Sequence, residues 1–129
     1  MANKETTFET TKEGPVQNYF KDGSLASEGF FKNGKKTGEW KYYLLNGRLK
    51  SIGKFENDKM TGEWKWWREN GQLMQTGFFD DDIKTGHWRR YHPNGMLRDE
   101  GTYSAGQKKG EWRTYDALGK LLTKKNYQG

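Results

Sequence analysis

Glycine recurs at positions 14, 38, 62, 86 and 110, a strict 24-residue period. Other residue types keep the same phase: Trp40, Trp64, Trp88 and Trp112; Tyr19, Tyr43, Trp67, Tyr91 and Tyr115; Gly29, Gly53, Gly77 and Gly101; Phe31, Phe55, Phe79, Tyr103 and Tyr127. Self-similarity at about 20 to 50 residues marks a stacked array whose units bury apolar surface only against their neighbours. Residues fixed by the period are then fixed by architecture, and function is to be sought in what varies.

Within one unit, Gly38 to Thr61, the Trp, Tyr, Leu and Phe residues favour strands, and Gly, Asn and Asp cluster at two places a strand's length apart. Each unit reads as a β-hairpin. Asn46-Gly47 would by default form a two-residue type I′ loop. Pro93 before Asn94-Gly95, and Leu118 before Gly119, instead suit a type I turn closed by a left-handed glycine in a bulge. Gly47, Gly71, Gly95 and Gly119 are therefore predicted at positive φ. That register pairs Tyr43 with Leu49 and puts Gly53 and Phe55 on the same face as Tyr43. Trp40 is an odd number of residues from Tyr43, so either a bulge between them brings all four columns to one face, or the tryptophans decorate the other. An exposed Trp row is a solubility liability, which favours the bulge. The Gly53 column leaves room for a neighbouring ring, and a second connection, Asn57 to Thr61, joins one hairpin to the next.

The expected fold class is all-β: an elongated single-layer antiparallel meander of about ten strands. A polar N-terminal segment, 1–13, is read as a cap or disordered. Five units follow at 14–37, 38–61, 62–85, 86–109 and 110–129, the outer ones degenerate as caps. A mean hydropathy of -1.23 approaches that of disordered chains, yet aromatics make up 16% of the residues. Each ring buries roughly 150 to 250 Å², so the chain folds through aromatic rows.

The absence of cysteine excludes disulfides, thiolate nucleophiles and cysteine metal sites. A net charge of +6 permits anionic partners without requiring one. Residues 1–13 lack an apolar core of the secretory type, and no run approaches the roughly 18 apolar residues of a membrane span. The expected location is cytoplasmic.

Gly38-Glu39-Trp40-Lys41, Asn46-Gly47-Arg48-Leu49, Gly53 with Phe55, and Asn33-Gly34-Lys35-Lys36 together resemble the bacterial variant of the MORN repeat, over residues 14 to 129. Asp58 and Asp82 depart from Gly34 and Gly106, and His87 departs from Glu39, Glu63 and Glu111. The resemblance implies an elongated antiparallel meander. It also implies one of three roles: protein-interaction scaffold, phospholipid binder, or antitoxin of a toxin–antitoxin pair. None of these roles maps to a residue motif.

Residues 29–36 miss the phosphate-loop pattern by the final hydroxyl, and a strand follows where a helix is needed. His87 and His92 point to opposite faces of a regular strand; a bulge would bring them together, but a third ligand from Asp99 or Glu100 would still be needed across the hairpin. Asp80, Asp81 and Asp82 form an acidic run that reads as a solvated turn and a recognition point for a basic partner. No nucleophile arrangement or pocket is evident, so a non-enzyme without cofactor or metal is expected.

Basic residues interleave with rings: Lys41, Lys65, Arg89 and Arg113 follow the tryptophans, joined by Trp66, Arg68, Arg90 and Arg98. Cross-strand charge pairing explains the repeated column; single-strand nucleic-acid binding is the sharper alternative. The Trp66 column holds Tyr42, Arg90 and Thr114, so Trp66 is read as non-architectural and exposed. The candidate binding residues are Trp66, Arg68, Arg89, Arg90, His92, Arg98 and Asp80 to Asp82, with Trp66, Arg68 and Arg90 on one accessible face. The leading function is a protein-binding module of antitoxin, immunity or scaffold type. The alternative is a binder of phospholipid headgroups, nucleotides or nucleic acid, and an array of this kind is also compatible with end-to-end homo-oligomers.

Overall fold

The computed structural model describes residues 12–128; the N-terminal segment before Lys12 lies outside the described residues. Ten strands run in chain order: β1 (Gly14–Tyr19), β2 (Leu25–Lys32), β3 (Lys35–Tyr43), β4 (Leu49–Glu56), β5 (Lys59–Trp67), β6 (Leu73–Asp80), β7 (Ile83–Tyr91), β8 (Leu97–Ser104), β9 (Gln107–Tyr115) and β10 (Leu121–Tyr127). They form one open sheet in which every strand pairs antiparallel with its neighbours in sequence. No helix occurs among the described residues, hence none long and apolar enough to cross a membrane.

The two kinds of turn differ as their residues dictate. Gly47, Gly71, Gly95 and Gly119 have φ of 88, 90, 91 and 92°. The Gly47 N–H donates to Leu44 O at 2.9 Å and the Leu44 N–H to Arg48 O at 2.8 Å, so a type I turn is closed by a glycine bulge, as Pro93 and Leu118 require. The other connections are shorter than the Asn57–Thr61 segment expected. Asn33-Gly34, Asn57-Asp58, Asp81-Asp82 and Ala105-Gly106 hold positive φ at both residues, the type I′ signature, and Lys59 to Thr61 belong to β5. Each of these loops folds onto the previous unit: the Asp58 N–H donates to Lys36 O at 3.1 Å and the Asp82 N–H to Met60 O at 3.0 Å. The aspartates add a bond that glycine cannot, since Asp58 Oδ1 accepts from Lys36 N and Asp82 Oδ1 from Met60 N, both at 2.7 Å.

The facing of the aromatic columns corrects the sequence reading. Tyr43 does pair with Leu49, but β3 is regular from Gly38 to Tyr42, with Trp40 opposite Gly53 and Tyr42 opposite Ser51. The register shift between Tyr42 and Tyr43 puts its extra residue, Lys50, on β4 and none on β3, so Trp40 and Tyr43 lie on opposite faces, and the Tyr43 hydroxyl donates to Glu28 at 2.5 Å on the side away from the tryptophans. The bulge lies instead before each tryptophan: between Ile52 and Lys54 the register on β5 jumps from Lys65 to Thr61, and Gly62 takes a φ of 71°.

The tryptophan row is nevertheless buried, with Trp40 only 1% exposed. Each indole lies flat over the glycine of the preceding strand, where a Cβ on Gly53 would overlap the Trp64 ring. The edges of Phe55 and Phe79 close on Trp64 at centroid distances of 5.1 and 6.5 Å. The Trp64 indole N–H donates to Lys54 O at 3.1 Å, so the polar handle is satisfied as well. The row is no solubility liability, because the preceding unit's glycine and ring and the unit's own Phe79 cover each indole such as Trp64.

Candidate functional site

One face of the sheet carries the rings, and along it the tryptophans alternate with a variable column. Trp40, Tyr42, Trp64, Trp66 and Trp88 stack in succession at centroid distances of 6.2, 6.5, 6.0 and 5.9 Å, with tilts of 27 to 31°. Trp66 is therefore half-buried between Trp64 and Trp88 and is not the isolated exposed ring its column implied. Its column varies along the array, and from the second unit on the residue opposite varies too. Asn18 faces Ser27, Tyr42 faces Ser51, Trp66 faces Gln75, Arg90 faces Asp99 and Thr114 faces Thr123. Asn18 Nδ2 donates to Ser27 Oγ at 2.9 Å, and the Thr114 and Thr123 hydroxyls hydrogen-bond each other.

The Arg90–Asp99 pair is the charged member of this series. Arg90 Nε lies 3.0 Å from Asp99 Oδ1 and Nη2 lies 2.5 Å from Oδ2, while Asp99 is buried at 5% exposure. The hydrogen bond to Asp99 raises the Arg90 pKa further above its ordinary value. Because Arg90 reaches for Asp99 instead of stacking, the ring ladder stops at Trp88. A cleft of about 230 Å³ opens there, floored by Trp88, Tyr103 and Trp112 and walled by Lys84, Arg90 and Lys108.

The two lysines were missed by sequence reading. Lys12, Lys36, Lys84 and Lys108 form a column in the 24-residue register, broken by Met60, and this was the available signal. Lys84 Nζ sits 4.9 Å from the Trp88 centroid and 5.0 Å from that of Tyr103; Lys108 Nζ sits 4.8 Å from Trp112 and 5.5 Å from Tyr127. Such cation–π contacts are worth about 0.5 to 1 kcal/mol at exposed sites. Asp99 comes opposite Arg90 only because Arg98 is the extra residue of the β8 bulge, which the pairing of Tyr91 with Leu97 does not by itself reveal.

The other predicted residues scatter. Arg68 does not share the ring face with Trp66 and Arg90. It stands at the turn, where Nη2 donates to Tyr91 O at 2.8 Å, and His92 in the same column bonds Tyr115 O at 2.8 Å. Both clamp one unit to the next. Arg98 is exposed at the extra residue of the β8 bulge. Asp80 ends β6, Asp81 pairs with Lys59 at 3.7 Å on the surface, and Asp82 is the backbone staple described above.

Arg89 lies on the opposite face. There Glu100 accepts from Arg89 Nε at 3.3 Å and bonds His87 Nε2 at 3.0 Å. Burial pushes the Glu100 carboxyl up, but the hydrogen bonds from His87 and Arg89 outweigh it and hold its pKa below the usual range. Of the basic column, Arg89 pairs across the strands with Glu100 and Arg113 with Glu111 on its own strand, while Lys41 and Lys65 make no ion pair among the described residues. A hollow of about 420 Å³ beside Glu28, Glu39 and Lys41 has mixed charge and selects no ligand class. No cluster of three metal-ligating residues occurs among the described residues.

The MORN repeat variant family matches five consecutive segments, residues 12–33, 36–57, 60–81, 84–105 and 108–128, while no curated protein matches the chain. Five in-phase matches over a ten-stranded hairpin meander establish that the chain belongs to the MORN repeat variant family.

Proposed function

We propose that the chain is a non-enzymatic, cytoplasmic module that binds a protein partner across its ring face. Repeats of this family are binding-type modules. The observation that carries the protein-binding reading is the series of facing pairs along that face: Asn18–Ser27, Tyr42–Ser51, Trp66–Gln75, Arg90–Asp99 and Thr114–Thr123. An invariant frame that presents a different side-chain pair in each unit is suited to reading an extended protein surface. Trp and Arg, the residues most enriched at binding hot spots, stand side by side in the middle of that row. An antitoxin or immunity partner is the narrower form of this reading that the resemblance supports.

The cleft lined by Lys84, Arg90 and Lys108 supports a second reading, binding of anionic lipid headgroups, nucleotides or nucleic acid. Salt separates the two. Affinity capture identified by mass spectrometry, followed by titration of the purified partner, should give a one-to-one complex whose affinity changes little with ionic strength. A polyanion gripped through six or more phosphates would instead lose about 10³-fold between 50 and 200 mM salt, and that result would replace the first reading with the second.

A further inference from the structure

The ring face is closed in the second and third units and open in the fourth. Tyr42 fills the space between Trp40 and Trp64, and Trp66 fills that between Trp64 and Trp88. At the next interval Arg90 stands in the ring's place and is drawn down onto Asp99, so the space between Trp88 and Trp112 remains as the cleft of about 230 Å³. Met60 stands in the lysine column at the end of the second unit, so the interval between Trp64 and Trp88 is flanked by one lysine, Lys84, where the cleft is flanked by two, Lys84 and Lys108. The cleft therefore occurs at one place along these three intervals.

Its charge is unbalanced. Lys84, Arg90 and Lys108 contribute three positive charges and Asp99 one negative charge, leaving two cations in excess. Neither lysine makes an ion pair among the described residues; their contacts are with ring faces. A cation held over aromatic surface is positioned and partly dehydrated, and so is ready for a charge-assisted hydrogen bond. Size narrows the occupant. The cleft is smaller than the roughly 300 to 1,000 Å³ of sites for drug-sized ligands, and fits one side chain.

We infer that the cleft receives a single Asp or Glu side chain of the protein partner, its carboxylate held by Lys84 and Lys108 above the Trp88–Tyr103–Trp112 floor. This rests on the protein-binding reading and adds to it a fixed register, because the acidic residue can seat only between the fourth and fifth tryptophan positions of the array.

The test uses two variants built from residues the array already carries at equivalent positions: Lys84→Met with Lys108→Met, which copies Met60, and Arg90→Trp with Asp99→Gln, which copies Trp66 and Gln75 and closes the cleft. The probes are acetylated, amidated tetra-glutamate, the matching tetra-glutamine, and inorganic phosphate. The readout is the indole N–H resonances of the tryptophans. Tetra-glutamate should shift Trp88 and Trp112 saturably and leave Trp40 and Trp64 in place, tetra-glutamine should do nothing, and both variants should weaken the effect at least tenfold while remaining folded. Equal shifts along all the tryptophans, undiminished binding by the folded variants, or a response to phosphate without one to tetra-glutamate would overturn the inference. Unchanged capture of the protein partner by both variants would overturn the cleft alone. Tetra-glutamate binding by a chain that captures no protein would overturn the protein-binding reading and leave only the anion site.

Discussion

The Arg90 guanidinium grips the buried Asp99 carboxylate through two nitrogens, at the positions where the preceding unit sets Trp66 against Gln75. The variable column is thus matched across the strand pair, and the unit of exchange is the pair.

Arg90→Ala would leave Asp99 buried without its partner. Removing one member of a fully buried ion pair costs about 3 to 5 kcal/mol; because Arg90 is half exposed, a loss of about 2 kcal/mol is expected. Arg90→Trp with Asp99→Gln should restore most of it. Denaturant unfolding of the two variants decides the point: a double change no more stable than Arg90→Ala would show that the pairs are not interchangeable modules.

Gly53 and Trp64 form a second interlocked pair, the indole filling the space a Cβ would need. Trp64→Ala should cost about 3 to 5 kcal/mol, and Gly53→Ala should cost a similar amount by displacing the ring. Combined, the two should fall short of additivity by more than about 1 kcal/mol, because the added methyl enters vacated space. Additive losses in the double-mutant cycle would mean that the glycine is required for some other reason.

The strands, the turn glycines and the Tyr43–Leu49 register were legible because each follows from local chemistry repeated in several copies. Pro93 and Leu118 excluded one turn type, and positive φ at Gly95 and Gly119 follows. The facing of Trp40 was not legible, since it depends on Gly62-type bulges and on cover supplied by the preceding unit, neither of which one hairpin reveals. The cleft was half legible. Arg90 was singled out by its odd column, whereas the column of Lys84 and Lys108 was not read at all. Regularity marks architecture only when the neighbouring positions are regular too, and here the cleft arises where two successive lysines of a repeated column meet a changed ring. Arg68 and His92 show the converse, irregular residues at a turn that perform the same clamping with different groups.

Tyr43 and Glu28 give the fold a pH signature. Burial, and then the hydrogen bond to Glu28, push the Tyr43 hydroxyl up to about 12 from 10.0, while the bond from Tyr43 holds Glu28 below its usual 4.5. A raised pKa contributes stability that is complete below the unfolded value, so the Tyr43 contribution is present below about pH 10 and lost as pH rises through about 12. A lowered one acts in reverse, and the Glu28 contribution fades as pH falls below 4.5. The difference in melting temperature between wild type and Tyr43→Phe should form a plateau that shrinks on both limbs. A difference independent of pH would contradict the coupling.

Asp82 holds its turn at a φ of 70° and bonds Met60 through both backbone and side chain. Glycine at that position would lose the side-chain bond but relax the backbone; alanine would lose the bond and keep the strain of a left-handed residue, roughly 1 to 2 kcal/mol. Asp82→Ala should therefore be less stable than Asp82→Gly by about 1 kcal/mol. Equal stability of the two would show that the turn carries no such strain.

Trp66 is the residue whose role the structure changes most. Stacked at 6.0 Å from Trp64 and 5.9 Å from Trp88, with the Phe79 ring 6.2 Å away, it completes the ladder through the centre of the array. Its truncation removes aromatic contact from two buried neighbours at once, yet it is only half-buried itself. Trp66→Ala should therefore cost about 2 to 3 kcal/mol, below the 3 to 5 expected of a fully buried ring. Trp66→Tyr with Gln75→Ser, which reproduces the Tyr42–Ser51 pair of the second unit, should recover most of that loss and restore the near-ultraviolet circular dichroism of the stacked indoles. A loss within the roughly 0.5 kcal/mol of an ordinary surface substitution would mean that the tryptophan row holds without its intercalated rings and that the variable column is free to serve binding alone.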